Sequence, residues 1–406
     1  MMQTFKMAFR DLGRNRRRTF FSALAVAIGL ALLMLMASVI TGEMGSAVES
    51  AIRLQSGHIQ IRSASYDENK SSLKWEDLVE NPEQIAGQIE ALDQVEAATP
   101  RLFASGFLST GNESAGVTIY GVDPQSAAND PYRNGLVEGS FITADDREGL
   151  MLGKPAAEKL HLQVGDKVGL SVNTSNGDVQ EQTFIVRGIY STDTYGFDVG
   201  TILLPLAKAQ AITQTENHAS TIFVVLKDTS FTNSVVAALQ VPSNLEVLTW
   251  SDLNALIVEF ETMANSYIAF FYLIILAITA SVIVNTLIMS VYERTREIGI
   301  LSAIGMKGPR IMGLFLAESI LLAIGGVIMG LVLGVFAVYL FNINGFFIGN
   351  MGLTGFVVPD TIRAQLTVDK SISLAIMTFI VTLLSGLYPA VMASRMEPVE
   401  ALRAEK

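Results

Sequence analysis

Residues 19–41, TFFSALAVAIGLALLMLMASVIT, hold no charged side chain. At about 1.5 Å of rise per residue such a run crosses the ~30 Å hydrocarbon core of a bilayer as a helix. No other feature restricts the fold as much, because a backbone in lipid must satisfy every N–H and C=O internally. Three more runs share the property: 264–291, 311–341 and 370–393, each broken by at most one charge. The first run exceeds the apolar stretch of a secretory leader, and no clear small-residue cleavage site follows before Glu43. It is therefore predicted to remain as a span. Four crossings place both termini on one side.

Charge sets the orientation. Residues 43–263 contain 13 Lys and Arg against 30 Asp and Glu, whereas the rest of the 406-residue chain contains 15 against 9. Lys6, Arg10, Arg14, Arg16, Arg17 and Arg18 precede the first span, Arg294, Arg296, Lys307 and Arg310 separate the second from the third, and Arg395, Arg403 and Lys406 follow the fourth. The stretch 342–369 has Arg363 alone. By the positive-inside rule residues 1–18, 292–310 and 394–406 are predicted to be cytoplasmic, and 42–263 and 342–369 to face outward. Basic clustering beside a span is this topology signal, so nucleic acid is not an expected partner. Within 1–18, Phe5, Phe9 and Leu12 recur at helical spacing with Lys6, Arg10 and Arg14 opposite. That is the pattern of an interfacial helix in contact with membrane lipid.

The outward body, 42–263, lacks cysteine and must be held by an ordinary apolar core. Alternating segments at 58–62, 116–122, 166–172, 183–189 and 221–226 predict strands, and 82–92, 154–161 and 206–213 predict helices. NTSNGD at 173–178 predicts a hairpin turn, and the polar stretch 63–72 a loop. Val48 and Ile52 extend the first span, and Leu253, Leu256, Ile257, Phe260 and Met263 lead into the second, as a paired helical stalk. The expected fold is an α-helical integral membrane protein: four transmembrane helices, and a mixed α+β extracytoplasmic domain between spans one and two.

Three segments carry a family likeness: AFRDLGRNRRRTFFSALAVAIG at 8–29, ERTREIGILSAIGMKGPRIMGLFLAES at 293–319, and YPAVMASRMEPVEALR at 388–403. In that order they resemble the FtsX-like, MacB-type ABC permeases. YGVDP, GLVEGSFI, GLMLGKPAAEKLHLQVGDKVGL, FIVRGIY and LLPLAKAQ are similar in order to that family's periplasmic core domain. The resemblance implies a second permease copy or homologue, two cytoplasmic ABC ATPase subunits that bind ATP and Mg, and mechanotransmission from those subunits to the outer domain. The layout is most similar to the LolC/LolE lipoprotein-releasing members of a cell inner membrane. In those members a protruding hairpin of one subunit recruits a chaperone, but the matching stretch 171–184 has no proline and no apolar tip. An efflux core like MacB and a signal transducer like FtsX, acting on a cell-wall hydrolase, are the alternatives.

Glu293, Arg294, Arg296 and Glu297 form a charged collar, followed by Ile298, Gly299, Ile300, Leu301 and Ile304. A short helix of that kind can plug a cleft on an ATPase, although a turn flanked by topology-setting arginines would also read so. Ala23, Ala27 and Ala31 in span one and Gly326, Gly330 and Gly334 in span three are small-xxx-small series for close helix packing. Glu318, an acid inside span three, is a functional candidate or an ion-pair partner of Arg294 or Arg310. Asn285 is read as an interhelical hydrogen bond, Tyr388-Pro389 as a kink, and His58, His161 and His218 as structural residues with no metal-site spacing.

An acyl-chain pocket is expected where the outer halves of spans one and two meet. Its candidates are Leu32, Leu33, Met34, Met36, Val39 and Ile40 with Tyr267, Phe270, Phe271 and Ile274. Simple contact with lipid or neighbouring helices would demand the same apolarity. The sequence has no G-x-x-x-x-G-K-[ST] loop, G-x-S-x-G elbow or H-E-x-x-H pair. No catalytic residue, metal or cofactor is therefore assigned to this chain.

Overall fold

The computed structural model describes residues 2–14, 16–67, 72–111, 113–347 and 359–397, with backbone alone at 2–5 and 344. Parts of the predicted 63–72 loop, the 342–369 segment, the 388–403 motif and the C-terminal tail lie outside the described residues, as does the Phe5 side chain. The chain divides into two compact units, one of helices (1–43, 261–346 and 362–406) and one built on a sheet (44–260 and 347–361).

Among the described residues six helices supply the first unit: α1 (Met2–Arg14), α2 (Arg16–Ser50), α3 (Ala255–Glu293), α4 (Thr295–Ala303), α5 (Gly308–Asn344) and α6 (Val368–Ser394). Of these, α2, α3, α5 and α6 are long and apolar enough to cross a membrane. Gly326 and Gly330 of α5 face α2 so closely that an added methyl group would stand 2.6 Å from Val26 Cβ and 3.1 Å from Ala27 Cα. At Gly334 it would meet Met34 Sδ at 2.6 Å. Gly326, Gly330 and Gly334 thus pack α5 on α2 within one subunit, with Ala23 and Ala27 at the contact, gaining dispersion contact where lipid offers no hydrophobic driving force. Pro389 is buried inside α6 without ending it. Asn285 is exposed on α3, and among the described residues it makes no interhelical hydrogen bond.

In α1 one face packs on the bundle and Phe9 stays outside it. Ala8 is fully buried with Met7 against Leu314 and Ala317 of α5, and Leu12 packs on Val26 and Leu287, while Phe9 is 72% exposed. Positions 8 and 12 share a helical face, and Phe9 lies 100° away from Ala8.

The second unit carries a ten-stranded sheet. Its strands are β1 (Ile59–Ser63), β2 (Val95–Thr110), β3 (Glu113–Val122), β4 (Leu136–Gly139), β5 (Gly149–Gly153), β6 (Lys167–Asn173), β7 (Val179–Tyr190), β8 (Thr201–Pro205), β9 (Thr221–Leu226) and β10 (Leu245–Thr249). They run β10-β1-β9-β2-β3-β8-β5-β7-β4, with β6 bridging β2 and β7. That bridge closes β2-β3-β8-β5-β7-β6 into a small barrel. Alternate residues of β6, Val168, Leu170 and Val172, point inward to meet Leu102, Leu108, Ile119 and Phe184.

A second lobe is the antiparallel run β10-β1-β9 with the first half of β2, covered by the helix Pro82–Glu90 through Ala86 and Ile89. Strand β2 therefore belongs to both lobes: Arg101 pairs with Thr221 of β9, and the next residue, Leu102, pairs with Gly121 of β3. The β6–β7 hairpin turns at Gly177, whose φ of 85° suits glycine. Its tip does not protrude free, because Ser175 and Asn176 donate to Gln214 O and Oε1 at 2.8 and 2.7 Å.

Before β1, α2 gives way to a six-residue π-helical turn, Ala51–Ser56. The predicted stalk is helical on this side. On the other side Leu253 belongs to a separate short helix, Trp250–Leu253, ended at Asn254, while Leu256, Phe260 and Met263 of α3 are exposed.

Candidate functional site

One arginine organises the end of the bundle where α1, α3, α4 and α5 meet. Arg294 Nη1 donates to Glu318 Oε1 at 2.5 Å, Nη2 to Asp11 Oδ2 at 2.6 Å and Nε to Glu297 Oε2 at 3.3 Å. Its guanidinium lies 5.6 Å from the Phe315 ring centroid. The rigid five-donor fork of arginine suits this task, since a lysine could not address three carboxylates on three helices in one plane. Arg14 reaches Glu297 at 2.7 Å, and Arg18 pairs with Glu293 and donates to Ser290 at 2.9 Å. Glu318, 3% exposed, is thus an ion-pair partner of Arg294 and not of Arg310.

That network holds α4 by its first turn. Ile298 is 3% exposed and packs with Val291, Phe315 and Ala390. Gly299 is buried beside it, Leu301 is half-buried, and Arg296 is exposed. Ile300 and Ile304, at i and i+4, face outward with exposures of 45% and 80%. The apolar face expected across 298–304 is therefore split. Residues 298 and 300 are 200° apart on a helix, so one anchors α4 and the other is presented. Sequence reasoning missed Asp11; its signal is that it is the lone acid among the basic residues of 1–18.

The expected acyl pocket is also divided. Leu33 and Met34 are 1% exposed and pack with Leu276 and Leu374, so they are bundle core. Leu32, Tyr267, Phe270, Phe271 and Ile274 lie exposed on α2 and α3, and Met36, Val39 and Ile40 are half-buried. The space beside Met34, Ala37 and Thr41 has no room for a water molecule.

In the sheet unit, His58 is buried, accepts Leu226 N–H at Nδ1 (3.1 Å) and contacts Thr229 Oγ1; burial lowers its pKa. Among the described residues no three His, Cys, Asp or Glu side chains are grouped to hold a metal. Asp198 is 1% exposed and accepts from Thr192 N and Oγ1 at 2.9 and 2.7 Å; burial pushes its carboxyl up to about 6.

The profile of the MacB-like periplasmic core domain matches residues 19–241, and that of the FtsX-like permease C-terminal region matches residues 269–398. The chain belongs to this permease family. Over 401 residues the permease is 23% identical to the lipoprotein-releasing system transmembrane protein LolE of Haemophilus influenzae, covering 94% of this chain and 93% of that protein. It is 24% identical to the lipoprotein-releasing system transmembrane protein LolC of Neisseria meningitidis, covering 95% and 94%. With the macrolide export ATP-binding/permease protein MacB of Hyphomonas neptunium it shares 26% identity over 99% of its own length but 61% of that protein. The permease is thus an ABC transporter permease of the LolC, LolE and MacB type. Arg294, Glu297 and Glu318 fall inside the FtsX-like match, whereas their partners Asp11 and Arg14 precede both matched regions.

Proposed function

We propose that this permease releases lipoprotein or another amphipathic molecule from the outer leaflet of the cytoplasmic membrane. It is driven by two separate ABC ATPase subunits, which bind ATP and Mg and dock on α4 at the cytoplasmic side. The observation that carries this reading is the end-to-end correspondence with LolE and LolC, over nine-tenths of both partners in each case. Mechanotransmission supplies the route: Ile300 and Ile304 enter a cleft on the ATPase, and the Arg294 network joins α4 to α1 and α5 so that they move together. Charged links fixed at several donors resist sliding better than apolar contact alone. A second copy or a homologue completes the pair of permeases, with the exposed faces of α2 and α3 available to lipid, partner and substrate.

The test is reconstitution in proteoliposomes with the cognate ATPase, following ATP-dependent release of a fluorescent lipoprotein, with photocrosslinkers at Leu32 and Phe271. Crosslinks to the acylated substrate support the reading. Crosslinks to bulk phospholipid alone during turnover overturn it, and ATP-driven movement of a macrolide in place of lipoprotein would favour a MacB-like exporter.

A further inference from the structure

We infer that Arg101 is a positioning residue that grips the end of the span-one helix and passes its displacement to both lobes of the outer domain. The inference rests on the mechanotransmission reading above. Arg101 is fully buried, yet among the described residues no carboxylate pairs with it. Its Nη1 donates to Leu54 O at 3.0 Å and its Nη2 to Ala128 O and Asn129 Oδ1 at 3.2 and 2.9 Å. The guanidinium lies 3.4 Å from the Phe223 ring centroid. Tyr132 Oη donates to the same Leu54 carbonyl at 2.7 Å.

Burying an unpaired guanidinium is costly, and an apolar side chain of similar length would fill the space without that cost. Packing alone therefore does not account for arginine here. Leu54 sits in the π-helical turn that ends the helix begun at Arg16, where carbonyls lack intrahelical donors and carry the negative end of the helix dipole. Two donors, one of them charged, converge on that single carbonyl. The Leu54 side chain packs in the same cluster as Tyr132, Tyr190 and Phe197 on the barrel.

On β2, Arg101 holds the last pair with β9 before Leu102 opens the pairing with β3. A pull on the Leu54 carbonyl is thus delivered to the residue at which one strand leaves the first lobe for the barrel. The π turn supplies compliance, since a π turn holds one residue more than an α turn and is a common site of local rearrangement.

The chain has no cysteine, so spin labels at Gly45→Cys and Gln88→Cys, both exposed and both in the sheet unit, report on this joint without background. In the complex reconstituted with its ATPase, Arg101→Met is expected to keep ATP turnover within about twofold. It should lower substrate released per ATP by about tenfold, the scale of a lost charge-assisted hydrogen bond, and abolish the nucleotide-dependent change in label distance. Arg101→Lys should recover part of both, and Tyr132→Phe should fall between. Wild-type release per ATP with an unchanged distance response in Arg101→Met overturns the grip. If that variant does not fold, wild-type coupling in Tyr132→Phe does the same. A wild-type complex whose label distance ignores nucleotide overturns mechanotransmission itself, and the grip with it.

Discussion

Arg294 and Glu318 meet at 2.5 Å with 9% and 4% of their side chains exposed, the most enclosed ion pair of the bundle among the described residues. The first prediction follows from that enclosure. Arg294→Met strands the Glu318 and Asp11 carboxylates, and removing one partner of a buried pair typically costs about 3–5 kcal/mol. Equilibrium unfolding of the full chain in mixed micelles should show that loss, with Arg294→Met/Glu318→Gln recovering part of it. An Arg294→Met loss under about 1 kcal/mol, the value for a surface pair, would contradict the assignment.

On α4 the two isoleucines separate folding from docking. Ile298→Asp should lower the unfolding midpoint and reduce membrane insertion, because a charge enters the cluster of Val291 and Phe315. Ile300→Asp should leave both unchanged while abolishing capture of the ATPase in a pull-down. Glu297→Lys is expected to do some of each, since Glu297 pairs with Arg14 and Arg294. Wild-type ATPase capture by Ile300→Asp would refute α4 as the docking element.

Adjacent glycines on α5 should behave oppositely. Nothing stands within 4 Å of a methyl group added at Gly325, whereas one at Gly326 would sit 2.6 Å from Val26 Cβ. Gly325→Ala is expected to stabilise the chain by about 0.4–1 kcal/mol through lost backbone freedom in the unfolded state. Gly326→Leu should destabilise it by about 1–3 kcal/mol through overpacking against α2. Equal effects in a denaturation series would mean that α5 does not pack on α2 through this stripe.

A fourth prediction concerns pH. The Asp198 carboxyl titrates near 6 in the fold against 3.8 without it, so the folded state binds its proton more tightly. Its contribution is greatest below pH 3.8 and is lost as pH rises through 6, by about 3 kcal/mol in all at 1.36 kcal/mol per pKa unit. Asp146, held low by hydrogen bonds despite partial burial, and the exposed Asp252, held low by its hydrogen bonds to Thr249, contribute in the opposite direction, so the informative quantity is the difference from Asp198→Asn. Between pH 4 and 6.5 the wild type should lose stability relative to that variant. Parallel pH curves would refute it.

The sequence was most legible where physics leaves little choice. Lipid demands apolar runs, so four spans were readable, and Thr221–Leu226, a strand buried along its whole length, was placed to the residue. Strand β2 was not foreseen as a strand because Thr99-Pro100-Arg101 lies inside it. Proline and a charge argue against a central strand, and only the tertiary acceptors around Arg101 override that preference. Asp11 was hidden in a basic tail whose charges are otherwise explained by topology. Ile298 and Ile300 read as one face because a nine-residue helix gives too few turns to fix which residues point inward.

One consequence of β2 concerns cooperativity. Since the same sixteen residues, Val95–Thr110, complete the antiparallel lobe with one half and the barrel with the other, no linker exists at which the two lobes could be cut apart. Neither can be expressed as an autonomous fragment with its sheet intact, and melting of either frays an edge of its neighbour. The sheet unit, two lobes by architecture, is a single unit in its thermodynamics.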